Sequence, residues 1–172
     1  MESGVAANAT MEAESLIRRM KKHLTYLQWD RDINGMLYYA LWIVFIGGFV
    51  LSVNSTIRLL APSDCTINLL YLFRILAIIG SFLNFILQSL AINAVRYSHE
   101  RLMEYELHVS LANVLPADAT IAHSRATALS HKLARLDRAI PVLHWALLTC
   151  VGLFLISGLV ITWNIIPLAS MK

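Results

Sequence analysis

Three charge-free stretches organise the chain. Twenty-five residues separate Asp32 from Arg58, 21 separate Arg74 from Arg96, and 33 separate Arg138 from Lys172, none of them Asp, Glu, Lys or Arg. Crossing a hydrocarbon core about 30 Å thick takes about 20 apolar residues in a helix. The pattern therefore predicts an all-α polytopic membrane protein with three transmembrane helices, at 36–57, 68–95 and 140–165. Pro141 suits the first turn of the third helix, where its missing N–H is not needed. Pro167 is expected to close that helix. A short outer loop (58–67) joins the first two spans, and an outer tail (166–172) ends the chain.

The remaining segments carry helical stripes. Ala13, Ile17, Met20, Leu24 and Leu27 recur at spacings of 4 and 3, which places them on one face of an amphipathic helix within 1–35. Glu12 and Glu14 precede the basic residues Arg18, Arg19, Lys21 and Lys22, the order a helix dipole favours. Leu102, Tyr105 and Val109 make a second stripe, and Ala122, Ala126, Leu129, Leu133, Leu136 and Ile140 a third. Asn113 to Asp118, with Pro116 inside, reads as the turn between them. Asp118 or Thr120 is expected to cap the helix that follows. Residues 96–139 thus form a helical hairpin, with the N-terminal helix packed beside it.

Composition agrees with the spans. Apolar residues make up 58% of the 172 and charged residues 15%, with a mean hydropathy of +0.62. A globule of this size in water cannot hide so much apolar surface. A soluble enzyme, a disordered tail and a secreted disulfide scaffold are excluded. The basic residues then set an orientation. Of the 13 Lys and Arg outside the spans, 11 fall in 1–35 and 96–139. The positive-inside rule puts both segments in the cytoplasm and the C-terminus outside. Trp29, Tyr38, Tyr39, Tyr97 and Trp145 would form the inner aromatic belt, and Trp163 the outer one. No signal peptide or lipidation motif is read, and the expected location is a bacterial plasma membrane. The net charge of +3 is a bias towards anionic lipid and carries no nucleic-acid signal.

Polar side chains inside the spans are the candidate functional residues. Arg74, Ala77, Ser81, Asn84 and Gln88 fall within about 80° on one face of the second span. A polar face in hydrocarbon turns to protein or to water. Arg74, near the outer end, is expected to snorkel or to pair with Asp64. The third span has Ala146, Cys150, Ser157 and Asn164, and the first has Ala40, Gly47 and Asn54, residues suited to helix packing. Arg74, Ser81, Asn84 and Gln88 form the intramembrane polar face; the stripes meet in the centre of one bundle, or Ser81, Asn84 and Gln88 line a pathway between protomers, or the faces contact a different subunit or a lipid.

Enzymatic chemistry finds little to stand on. There is no nucleophile elbow, no glycine-rich phosphate loop and no carboxylate inside a span. Cys65 and Cys150 are expected at different depths, too far apart for a disulfide. Glu100, Glu104 and His108 share one helix face, and an antiparallel partner would bring His123 alongside. Without HExxH or CxxC this reads as a solvated face. A haem between His99 and His144 is set aside for want of a small-residue pocket. The sequons at Asn8 and Asn54 are expected to stay unused. No cofactor, no metal and no nucleic-acid partner is expected.

The resulting expectation is a non-enzymatic membrane protein that acts as an assembly. A small homo-oligomeric channel or pore lined by the second span leads. An accessory or assembly subunit of a larger membrane complex is the alternative.

Overall fold

The computed structural model describes the backbone of residues 2–58 and 64–169, and the side chains of residues 11–54 and 67–163. Among these residues the chain is entirely helical: α1 (Glu2–Arg58), α2 (Asp64–Leu111) and α3 (Pro116–Ala169). They contain 57, 48 and 54 residues, each more than double the ~20 that one membrane crossing needs. All three are long and apolar enough to cross a membrane. Their most apolar 18-residue stretches are only 17%, 28% and 28% buried by the protein itself. An apolar exterior of that extent is consistent with insertion into a membrane.

The chain divides into two compact units. The first comprises Met1–Asn34 and Ser89–Ile140, the second Gly35–Gln88 and Pro141–Lys172.

The first unit is held by the stripes. Leu24, Val95 and Leu102 form its buried cluster, with Ile17, Met20 and Leu27 packed against them. On α3, Ala122, Ala126 and Leu133 are buried and Leu129, Leu136 and Ile140 half-buried. Ala119, Ala122 and Ala126 are buried along with Leu133, and small residues of this kind permit close helix approach. Around this core lie ion pairs, Lys21 Nζ with Glu106 Oε1 at 2.8 Å and Arg125 Nη1 with Glu104 Oε1 at 3.6 Å. Arg96 pairs with Glu100 at 2.8 Å; that hydrogen bond and the carboxylate's charge hold the guanidinium above its ordinary pKa.

The turn from α2 to α3 occupies residues 112–115. Pro116 opens α3, where no N–H is required. Neither Asp118 nor Thr120 caps that helix. The Leu115 carbonyl accepts the first helical bond, from Ala119 N at 3.0 Å, so the cap position belongs to a residue with no side-chain acceptor. Thr120 Oγ1 donates back to the Pro116 carbonyl at 2.9 Å, and Asp118 serves the helix dipole from the first turn. Pro141 does not start a helix and Pro167 does not end one, since α3 runs through both to Ala169. At Pro141 the ladder loses one N–H donor, a local cost that 54 residues of continuous helix absorb.

The second unit is built on aromatic rings set against glycines. Phe73 stacks on Phe154 with centroids 4.1 Å apart, and Phe45 meets Phe154 edge-on at 5.2 Å. The tip of the Phe45 ring lies against Gly80, where an added Cβ would clash with it. A Cβ at Gly48 would come within 2.5 Å of Phe154 Cζ. The two glycines therefore set how closely these rings and helices approach.

Candidate functional site

α2 presents its polar face to the interior of the second unit. Asn84 is completely buried, and its Nδ2 donates to the Tyr38 carbonyl of α1 at 2.9 Å. Asn84 Oδ1 has no hydrogen-bond partner among the described residues. Nearly three helical turns towards the start of α2, Arg74 also reaches α1. Its Nε donates to Ser52 Oγ at 3.2 Å and its Nη2 to the Ser52 carbonyl at 3.1 Å. The guanidinium also lies over the Tyr71 ring, 5.7 Å from its centroid. Ala77, between them, is buried, whereas Ser81 and Gln88 are half-buried.

α3 contributes two more polar groups. Cys150 is buried, and its Sγ donates to the Leu76 carbonyl at 3.3 Å. Ser157 is buried and bonds its own helix, Oγ to the Phe154 carbonyl at 2.8 Å. His144 Nε2 lies 2.8 Å from Tyr38 Oη, with the two rings stacked. Tyr38 thus ties α1 to both neighbours, through its carbonyl to Asn84 and through its hydroxyl to His144.

Several sequence expectations are placed differently. Tyr38 is buried, so it takes no part in an aromatic belt; Trp29, Tyr39, Trp145 and Trp163 are exposed. Gly47 has no atom within 4 Å of an added Cβ, while Ala40, Asn54 and Ala146 are exposed. The inward face of α1 instead carries Tyr38, Phe45, Gly48 and Ser52. Successive residues lie about 100° apart on a helix, so Gly48 packs where Gly47 does not. The side chains of Asp64, Cys65 and Asn164, like that of Asn8, lie outside the described residues. Ser52 and Gly48 are passed over by the sequence pattern, and Tyr38 is taken for a belt residue, because a single small or aromatic residue in a span carries no periodic signal.

In the first unit, His108 and His123 come together with centroids 4.8 Å apart. His108 Nδ1 donates to the Ala119 carbonyl at 2.9 Å, which ties α2 to the first turn of α3. Among the described residues no group of three or more His, Cys, Asp or Glu is placed to hold a metal ion. His108 is a structural clamp at the turn. Beside it, Met103, Glu104, Glu106, Leu107 and Ser110 line an open groove of about 490 Å³. Met103, Leu107, Val114, Leu115 and Ile121 are all exposed around the same end of the hairpin.

Comparison with protein-family models, with curated proteins and with solved structures finds no match for this chain.

Proposed function

We propose that the chain is a non-enzymatic polytopic membrane protein that works as an accessory or assembly subunit. On this reading the second unit is embedded in the bilayer and the first unit is the cytoplasmic part that meets a partner. One observation carries it: the strongest polar groups of α2 are turned inward, Asn84 onto Tyr38 and Arg74 onto Ser52. A pathway between protomers needs such groups on the protomer's outer surface. The first unit supports the same reading, because Met103, Leu107, Val114, Leu115 and Ile121 form an exposed apolar end on a segment rich in charge. Patches of that kind on water-facing domains mark interaction sites. The concentration of basic residues in 1–35 and 96–139 supports a cytoplasmic position for that unit under the positive-inside rule.

A second reading keeps the homo-oligomeric pore. Ser81 and Gln88 are half-buried rather than sequestered, and Ser81 borders an apolar groove of about 240 Å³ with Phe45, Phe49 and Ile78. Native mass spectrometry of the detergent-extracted chain separates the two. A monomer that co-purifies with larger membrane proteins supports the subunit reading. A homo-oligomer of one stoichiometry that conducts ions in planar bilayers overturns it in favour of the pore.

A further inference from the structure

One face of α1 in the first unit is left open to the outside. Arg19, Lys22, Tyr26, Trp29 and Ile33 follow one another at spacings of 3, 4, 3 and 4, so they share a face, and all five are exposed. This side of α1 is turned away from the packed stripe of Ile17, Met20 and Leu24. An outward helix face is ordinarily polar. Here Tyr26 and Trp29, 57% and 62% exposed, place two aromatic rings on it with centroids 6.5 Å apart. Tyr, Trp and Arg are the residues that dominate binding at protein interfaces.

The cations on this face have charge to spare. Among the described residues Arg19 and Lys22 have no ion pair or hydrogen bond, whereas Arg18 pairs with Glu14 at 3.4 Å and Lys21 with Glu106 at 2.8 Å. Lipid is a poor counterpart for them. Asp32 closes the charged segment, so the apolar span begins no earlier than Ile33. Lys22 and Arg19 lie 11 and 14 residues before Ile33, about 16 and 21 Å of helical rise. The headgroup layer is only about 5–8 Å thick on each side. For a helix that leaves the bilayer along its normal, both charges stand clear of the lipid phosphates. Side chains at heptad spacing instead form a seam against which a second helix packs.

We propose that this face of α1 docks an acidic amphipathic helix of the partner protein. Carboxylates of that helix pair with Arg19 and Lys22, and its apolar stripe covers Tyr26. The proposal rests on the subunit reading for the existence of a partner, and the surface is separate from the apolar end of the hairpin.

The probe is a fluorescent helical peptide of three heptads, with leucine along its seam and glutamate beside it. A second peptide carries lysine in place of every glutamate. Both are titrated onto the full chain in phosphatidylcholine nanodiscs, with empty discs as the blank, and binding is read by fluorescence anisotropy. The wild type is expected to bind the glutamate peptide about tenfold more tightly than the lysine peptide, the order that two exposed ion pairs supply. Arg19→Glu combined with Lys22→Glu reverses that preference. Arg135→Glu, at an exposed cation of α3, leaves it unchanged. Tyr26→Ala weakens both peptides about tenfold at unchanged helix content. No binding above the empty discs, equal affinity for the two peptides, or a preference that survives the charge reversal overturns the proposal. Loss of the preference in Arg135→Glu also overturns it, by making it an effect of net charge. A spin label at position 22 that phosphatidylglycerol discs immobilise without peptide assigns the face to lipid and overturns it too. A homo-oligomer that conducts ions overturns the subunit reading instead, a result read independently of the peptide titration.

Discussion

Asn84 and Tyr38 form a one-sided bond: the Asn84 amide nitrogen donates to the Tyr38 carbonyl at 2.9 Å, while the amide oxygen has no partner among the described residues. The donated bond stabilises the α1–α2 contact, and the lone oxygen works against it. Interhelical hydrogen bonds in membranes contribute about 0.6 kcal/mol on average. A buried acceptor left without a partner costs about 1–3 kcal/mol. Asn84→Leu, close in volume, is therefore expected to change stability by less than about 1 kcal/mol. Asn84→Ala opens a hole and should cost about 2 kcal/mol. Thermal unfolding of both variants in the same detergent checks the order, and equal losses would contradict it.

Gly80 and Phe45 should behave as a coupled pair. Any side chain at Gly80 enters the space of the Phe45 ring. Gly80→Ala is expected to cost about 1–3 kcal/mol, as overpacking usually does. Phe45→Leu in the same chain should recover part of that loss. A double-mutant cycle on unfolding midpoints reads the coupling, and strictly additive losses would rule out the contact.

Tyr38 and His144 predict a smaller coupling. Their 2.8 Å contact joins α1 to α3. Tyr38→Phe removes only the hydroxyl and should cost about 1 kcal/mol. In His144→Leu the same substitution should cost less. A full cost in both backgrounds would mean that the hydroxyl acts through another group.

In the first unit the core should outweigh the charges. Lys21 and Glu106 are paired at 2.8 Å, but their side chains are 59% and 40% exposed. Glu106→Gln is expected to cost less than about 0.5 kcal/mol, and less still in high salt. Leu102→Ala, from the buried cluster with Leu24, should cost about 2–4 kcal/mol. Urea unfolding at two salt concentrations measures both.

Much of the fold was legible because it is periodic. Ala122, Ala126 and Leu133 repeat at helical spacing over many turns, and a stripe of that length has only one way to bury itself. The polar face of the second span was legible in the same way: Arg74, Ala77 and Asn84 do turn inward. Their partners were not. Which α1 residue faces Asn84 depends on the relative register of two helices, and no pattern within either helix records it. Tyr38 looked like a belt residue because it lies near an expected span boundary, yet it is buried while its neighbour Tyr39 is exposed. Gly47 and Gly48 are indistinguishable in sequence, and only the rings of Phe73 and Phe154 decide which one packs. Pro141 looked like a start signal because a helix continuing through proline cannot be read from local preference.

The account depends most on lipid bathing the outward face of α2 while Asn84 stays enclosed. With Cys65 and Cys150 replaced by alanine, spin labels at positions 78, 82, 84 and 85 in bilayers test this directly. Labels replacing Ile78, Phe82 and Phe85, all exposed, should collide freely with oxygen and hardly at all with a water-soluble nickel chelate. The label at position 84 should be shielded from both. Strong collision with the chelate at positions 78, 82 and 85 would contradict the account, because that face would then lie in water.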